Sequence, residues 1–490
     1  MDYSTLGEVV DLPKYLVTVS GEIPLRSPRT RPRFYRVLVE NIRDAVERNG
    51  GRLLESKVLE AKILLETDVD VEEAIARVFG VHKVGRVLEY VFRDLPDLAN
   101  WVQEHARESI KGRKFAVRVK RSGEHSFTSL DVAREVGAVL KPYSAGVDLE
   151  NPDVVVDLEV RGDKAFLYLD SRMGPGGIPI GVEGSALVLF SGGFDSPVAA
   201  WLIAKRGVKV DFLHFIMGST QSTYYAFQVA KALASNWLYG YKPRFILVDF
   251  RDVIAEISRR TKWSFRQVVL RALMYIASTR LASKLGYDAV VTGEAIGQAS
   301  SQTLRNLSAI ERAAGASMII LRPLLGYDKD EIIALSRKIG LYDYSSKVTE
   351  TCAIAPSRVE TGASLDEVRE ELSKIDLTII DKALSDYKVV SVLEASPDEA
   401  IPRSDVEIDF IPEDAVVIDA RSESERRNNP IEKAIPIEEI NVKNLPRDKV
   451  LIFICETGGK SYLLAKTLRE EGFRAYSFKG GARNYCKLRG

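Results

Sequence analysis

Ser191-Gly192-Gly193-Phe194-Asp195-Ser196 follows directly on the apolar run Ala186–Phe190 and opens a helical pattern. Paired glycines at such a turn let backbone N–H groups close on an anion, and the helix N-terminus adds positive potential. The stretch carries no lysine and is not the G-x-x-x-x-G-K-[ST] loop. Downstream, the apolar runs Val208–Phe215, Phe245–Val248, Ala289–Thr292 and Ser317–Leu321 alternate with helical patterns as far as Leu384. Short continuous apolar strands separated by helices predict a parallel sheet buried on both faces. Ligands bind at the C-terminal ends of such strands, where this loop falls.

Upstream the rhythm differs. Residues 15–20 read as a strand, 34–46 as a helix, 52–59 and 61–66 as strands and 71–79 as a helix. A second α+β unit follows, with strand 86–92, helix 96–110, strand 115–120, helix 129–140 and strands at 153–160 and 165–169. Met173–Pro179, with three glycines and two prolines, reads as a linker. Beyond Leu384 lies a second linker with Pro397 and Pro402. A last α/β unit has strands at Ala415–Asp419 and Lys449–Ile454 and a helix at Lys460–Glu471.

A chain of 490 residues needs several cores. No uncharged apolar run reaches the ~18 residues of a membrane span, and the polar, acidic start is unlike a signal peptide, so a cytoplasmic protein off the membrane is expected. Three cysteines, Cys352, Cys455 and Cys486, are too few for a disulfide framework. The four histidines have no metal-ligand spacing, and no metal site is expected. With 69 basic and 69 acidic residues the net charge is zero, so any nucleic-acid surface must be local. Arg26, Arg29, Arg31, Arg33 and Arg36 form one basic cluster; Arg107, Lys111, Arg113, Lys114, Arg118, Lys120 and Arg121 form another. Each alone reads equally as a solvated face; two in one half point to a phosphate-reading surface.

The SGGxDS loop resembles the PP-loop of ATP pyrophosphatases. Val291–Leu307, reading VTGEAIGQASSQTLRNL, together with Arg322-Pro323-Leu324 and Asp328-Lys329-Asp330-Glu331-Ile332, resembles the tRNA 4-thiouridine synthetase family. Leu16–Ile23 is similar to its ferredoxin-like opening, and Lys114–Arg121 to a THUMP strand. Cys455–Ser461 resembles a rhodanese active loop, with Lys460 or Ser461 where an arginine is usual.

The resemblance implies a multidomain α/β and α+β chain: a ferredoxin-like domain (1–75), a THUMP RNA-binding domain (76–180), a doubly wound PP-loop adenylation domain (181–390), a linker (391–404) and a rhodanese-like sulfur carrier (405–490). It implies that Ser191, Gly192, Gly193 and Ser196 hold pyrophosphate. Leu189, Phe190, His214, Phe215, Arg271, Gly293 and Gln302 would complete an ATP pocket, and Asp195 and Lys329 would serve phosphate chemistry with Mg²⁺ as part of the ATP complex. Cys455 would carry persulfide sulfur and Cys352 would resolve it through a disulfide, while Cys486 reads as filler. Arg113, Lys114, Arg118, Lys120 and Arg121 would meet tRNA. The implied partners are tRNA, a cysteine desulfurase, a ubiquitin-like sulfur carrier if thiamine thiazole is also served, and a second copy of the chain. The competing reading is a sulfur-relay or tRNA-binding protein without adenylation activity.

Overall fold

The computed structural model describes residues 12–348, 359–401, 404–456 and 458–489, without the side chains of residues 443 and 486–489. The chain forms two compact units, one ending at Val182 and the other starting at Glu183.

In the first unit both α+β patterns share one sheet. Its strands run in the order Leu53–Leu59, Lys62–Thr67, Lys14–Val19, Val81–Val91, Lys164–Tyr168, Val154–Arg161, Lys114–Ser122 and Gly146–Val147. The joint is Val81–Val91, antiparallel to Lys14–Val19 on one side and to Lys164–Tyr168 on the other. It begins five residues before the expected 86, because a partner strand more than sixty residues away extends it. The preceding helix shrinks to Glu72–Ala76.

Helices Leu95–Ile110 and Ser129–Leu140 cover one sheet face, burying Phe115, Leu158, Val160 and Leu167. Both start at side-chain caps: Asp94 accepts from the Asp97 N–H, and Thr128 and Asp131 cap each other reciprocally. Strand alternation then turns Arg118 and Lys120 to the other face. Met173–Pro179 is no free tether. Arg172–Met173 pairs with Val81–Val91, and Gly174 lies so close that a Cβ would sit 2.3 Å from the Val81 carbonyl oxygen.

The second unit holds two sheets. The larger has the order Ile319–Leu321, Ala289–Val291, Ser185–Leu189, Lys209–Ile216, Arg244–Asp249, Lys388–Ser391. Every pairing is parallel except the last, where Lys388–Ser391 closes the edge antiparallel to Arg244–Asp249. The strand Ser185–Leu189 has the second strand on one side and the fourth on the other, so the chain reverses direction of winding beside it. That is the topological switch point, and it sets the loop after Leu189 at a crevice. The smaller sheet is wholly parallel, in the order Glu407–Ile408, Ala475–Phe478, Leu451–Ile454, Val416–Asp419, Ile435–Pro436. The same rule places its crevice after Ile454, at Cys455.

The segment 391–404, expected as a linker, is largely built into the fold where it is described: Val392 and Ala400 are fully buried, and helix Pro397–Ala400 starts at the Ser396 cap. Among the described residues no helix is long and apolar enough to cross a membrane.

Candidate active site

The crevice at the larger sheet is a cavity of about 820 Å³. The strand ends supply Leu189 and Phe190, His214 and Phe215, and Thr292 to Glu294. Arg271 enters from helix Arg266–Leu285, Lys329 from the start of Lys329–Lys338, and Gln302 from the glycine-containing loop. Ser191, Asp195 and Ser196 face the same space. The structure thus gathers eleven of the sequence-derived pocket residues, while Gly192 and Gly193 shape the loop from behind, both buried.

The loop is tightly wound. Ser196 Oγ accepts from the N–H groups of Ser191 and Gly192 at 3.1 and 3.2 Å, and Ser191 Oγ accepts from the Gly193 N–H at 3.3 Å. Gly192 has φ +82°, and a Cβ there would lie 2.6 Å from Ala226 Cα. A Cβ on Gly293 would lie 2.8 Å from the Ser196 nitrogen. Only glycine fits either place, so two loops close on each other at the helix N-terminus.

Asp195, in the first turn of helix Asp195–Ala204, is held on both oxygens: Lys329 Nζ donates to Oδ1 at 2.9 Å and Gln298 Nε2 to Oδ2 at 2.8 Å. The buried Gln298 Oε1 has no hydrogen-bond partner, so an oxygen acceptor sits unused beside the carboxylate. Arg271 is oriented by Glu294, which also accepts from Arg322 Nε, Thr292 and the Tyr275 hydroxyl. Burial alone would raise the Glu294 pKa; Arg271, the Tyr275 hydroxyl and Arg322 outweigh it and hold the carboxyl below its usual range. Gln302 braces the loop by accepting from the Ala295 N–H. Glu294 and Gln298 lie within the Val291–Leu307 motif, outside the residues expected to form the pocket. Their signal was polar side chains in a loop that follows a buried strand.

His214 is committed to structure. Its Nδ1–H donates to the Phe190 carbonyl at 2.9 Å, and Nε2 faces the Thr223 hydroxyl at 3.3 Å. Burial pushes its pKa down to about 4, so the ring is neutral at neutral pH. Above pH 6.5 the folded and unfolded histidine are both neutral, and between 6.5 and about 4 only the unfolded one takes a proton. Stability should therefore fall as pH drops from 6.5 to about 4, by up to about 3 kcal/mol. His214→Asn keeps a donor near the Phe190 carbonyl and should flatten that part of a thermal-melt pH profile. An unchanged profile would deny His214 this role.

Cys455 follows the central strand of the smaller sheet and is buried. Its Sγ accepts from the N–H groups of Gly458 (3.2 Å) and Ser461 (3.4 Å) and lies 3.3 Å from Ser461 Oγ. Donors converging on one sulfur at a helix N-terminus stabilise negative charge there. Lys460, one of the two residues that could stand in the arginine's place, donates to the Ala420 carbonyl. Ser461 takes the position against the sulfur. Cys352 lies outside the described residues. Cys486 sits on the terminal helix Gly481–Arg489, with its side chain outside those described. In the first unit Arg113, Lys114, Arg118, Lys120 and Arg121 are all exposed.

Residues 181–377 match the family model described as thiamine biosynthesis protein (ThiI), 92–170 the THUMP domain and 408–488 the rhodanese-like domain. The chain is 56% identical over 474 residues to a tRNA sulfurtransferase of Desulfurococcus amylolyticus, covering 97% of this chain and 98% of that one. It is 38% identical over 471 residues to a tRNA sulfurtransferase of Pyrobaculum aerophilum, covering 94% and 95%. Among solved structures it resembles a 4-thiouridine synthetase in complex with RNA and bound ATP. That match has a TM-score of 0.66 and 27% identity and covers 78% of this chain and 99% of the other.

Proposed function

The chain belongs to the tRNA sulfurtransferase family, and from that premise we propose that it adenylates the uridine at position 8 of tRNA and replaces its C4 oxygen with sulfur carried on Cys455. The observation that carries this reading is one compact unit holding both a phosphate-cradling loop at a sheet switch point and a cysteine sulfur ringed by N–H donors.

In the first step the C4 oxygen attacks the α-phosphorus of ATP and pyrophosphate leaves. Ser191, Gly192, Gly193 and Ser196 at the helix N-terminus suit the departing pyrophosphate. A magnesium ion of the ATP complex would neutralise phosphate charge next to Asp195. Asp195 and the unpartnered Gln298 Oε1 offer the oxygen donors that Mg²⁺ prefers, and Lys329 moves from Asp195 to the charge that develops on phosphate. Leu189, Phe190 and Phe215 supply apolar wall for the base. Arg271, held by Glu294, adds a fixed cation.

In the second step the outer sulfur of a Cys455 persulfide attacks C4 and AMP leaves. Cys352 then attacks the Cys455 sulfur, which releases 4-thiouridine and leaves a Cys352–Cys455 disulfide for an external thiol to reduce. A cysteine desulfurase supplies the persulfide. The thiamine biosynthesis description of the family supports a second use of the same carrier, delivery of sulfur for thiamine thiazole; a ubiquitin-like sulfur carrier protein would be the acceptor there. Incubation with ATP, tRNA and a persulfide donor, followed by nucleoside mass spectrometry, tests the main reading; tRNA without 4-thiouridine would overturn it.

The exposed basic side chains of strand Lys114–Ser122, with Arg113 just before it, are the proposed tRNA contact. Each phosphate neutralised releases counterions, so replacing Arg113, Lys114, Lys120 and Arg121 by alanine should weaken tRNA binding roughly tenfold or more at low salt. The salt dependence should also become shallower. Unchanged affinity at both salt extremes would return these side chains to a merely solvated face.

A further inference from the structure

The Cys455 loop does not stand free within the second unit. Ser219, which caps helix Thr220–Trp237, uses its hydroxyl fully. The O–H donates to Glu407 Oε1 at 2.8 Å, and the oxygen accepts from the N–H groups of Gln221 at 3.2 Å and Gly480 at 3.0 Å. The Thr220 N–H faces both Glu407 carboxylate oxygens at 3.3 Å, so the carboxylate sits on the positive end of an 18-residue helix. Gly458, whose N–H holds the Cys455 sulfur, is pressed so near that a Cβ would lie 2.7 Å from Ser219 Cβ. Gly218 and Ser222, on either side of this junction in sequence, line the nucleotide cavity. A short chain of contacts therefore joins the sulfur to the cavity rim.

Farther along, Lys466 pairs with Asp252, and the Arg251 guanidinium lies 3.8 Å over the Tyr462 ring. Leu463 adds one apolar contact with the core of the larger sheet, while the hydrogen bonds, the ion pair and the cation–π contact around it can exchange for water. Separation is also chemically required, because Cys455 is only 5% exposed and an outside sulfur donor has to reach it.

Resting on the sulfur-carrier reading above, we infer that Glu407 is a docking residue: its carboxylate seats the Cys455 loop at the mouth of the nucleotide cavity, and delivery of sulfur to tRNA depends on that seat while adenylation and sulfur loading do not. Glu407 touches no reacting atom and acts through Ser219, Thr220 and the loop they hold.

The test uses the full-length chain with a cysteine desulfurase and ³⁵S-cysteine. In Glu407→Ala, single-turnover transfer of label from Cys455 to tRNA should slow about tenfold, as befits loss of a charge-assisted hydrogen bond. tRNA-dependent AMP release should stay at the wild-type level, and labelling of Cys455 should be no slower than in the wild type. Glu407→Gln, which keeps an acceptor for Ser219, should recover part of the transfer rate. Ser219→Ala removes the same bond from the opposite side and should repeat the defect should Glu407→Ala fold poorly. In a Cys352→Ser, Cys486→Ser background, iodoacetamide should modify Cys455 faster once Glu407 is removed. Transfer within twofold of wild type together with unchanged alkylation would overturn the inference. Absence of label on wild-type Cys455 would instead overturn the carrier reading, and the alkylation comparison would still decide the docking role.

Discussion

Asp195→Ala is expected to abolish tRNA-dependent formation of AMP and pyrophosphate, a loss of roughly a thousandfold or more, while tRNA affinity stays within a few-fold. The effect is large because Asp195 is the hub of the loop. It sits in the first helical turn, takes Lys329 on one oxygen and Gln298 on the other, and lies against Gly293. Its removal frees the lysine from its rest position and takes away the carboxylate proposed to meet Mg²⁺. Asp195→Asn keeps the shape and one acceptor but not the charge, so it separates the two contributions; activity near wild type in the asparagine variant would assign Asp195 to loop geometry alone. Product analysis showing ADP and phosphate in the wild type would refute cleavage between the α and β phosphates.

Cys455→Ser should take up no sulfur from a desulfurase and make no 4-thiouridine, yet still release AMP with tRNA. The serine oxygen keeps the Gly458 and Ser461 hydrogen bonds, so folding should be spared and the defect confined to sulfur chemistry. Cys352→Ser should accept sulfur but turn over poorly, because the Cys455 sulfur then lacks its partner for disulfide release. Cys486→Ser should behave as wild type. Peptide mapping after one turnover without reductant should recover Cys352 linked to Cys455. Full multiple-turnover activity in Cys352→Ser would leave an external thiol as the resolving group.

Much of the site's geometry was legible because it is local. A Gly-Gly turn between an apolar strand and a helix states its own geometry, and the structure agrees with φ +82° at Gly192. Apolar runs alternating with helices pointed to the parallel sheet, because crossover helices cover both faces of its strands. Cys455 was legible for the same reason, as the residue between a buried strand and a helix. The roles of Glu294 and Gln298 were not. A buried carboxylate is tolerable only beside its partners, and Arg271 and Arg322 lie 23 and 28 positions away in the chain.

The sequence by itself determined most of the elements, the loops at the two strand ends that carry Ser191 and Cys455, and the family to which they point, because strand period, helix caps and glycine-bearing turns are written within a few residues. Tertiary structure alone decided what crosses long separations. It merged two α+β patterns into one sheet through Val81–Val91, and it laid Lys388–Ser391 antiparallel on the sheet edge. It also set Glu407 against Ser219, 188 positions away. Such pairings depend on which surfaces meet once each element has buried its apolar face, and no local pattern encodes that meeting.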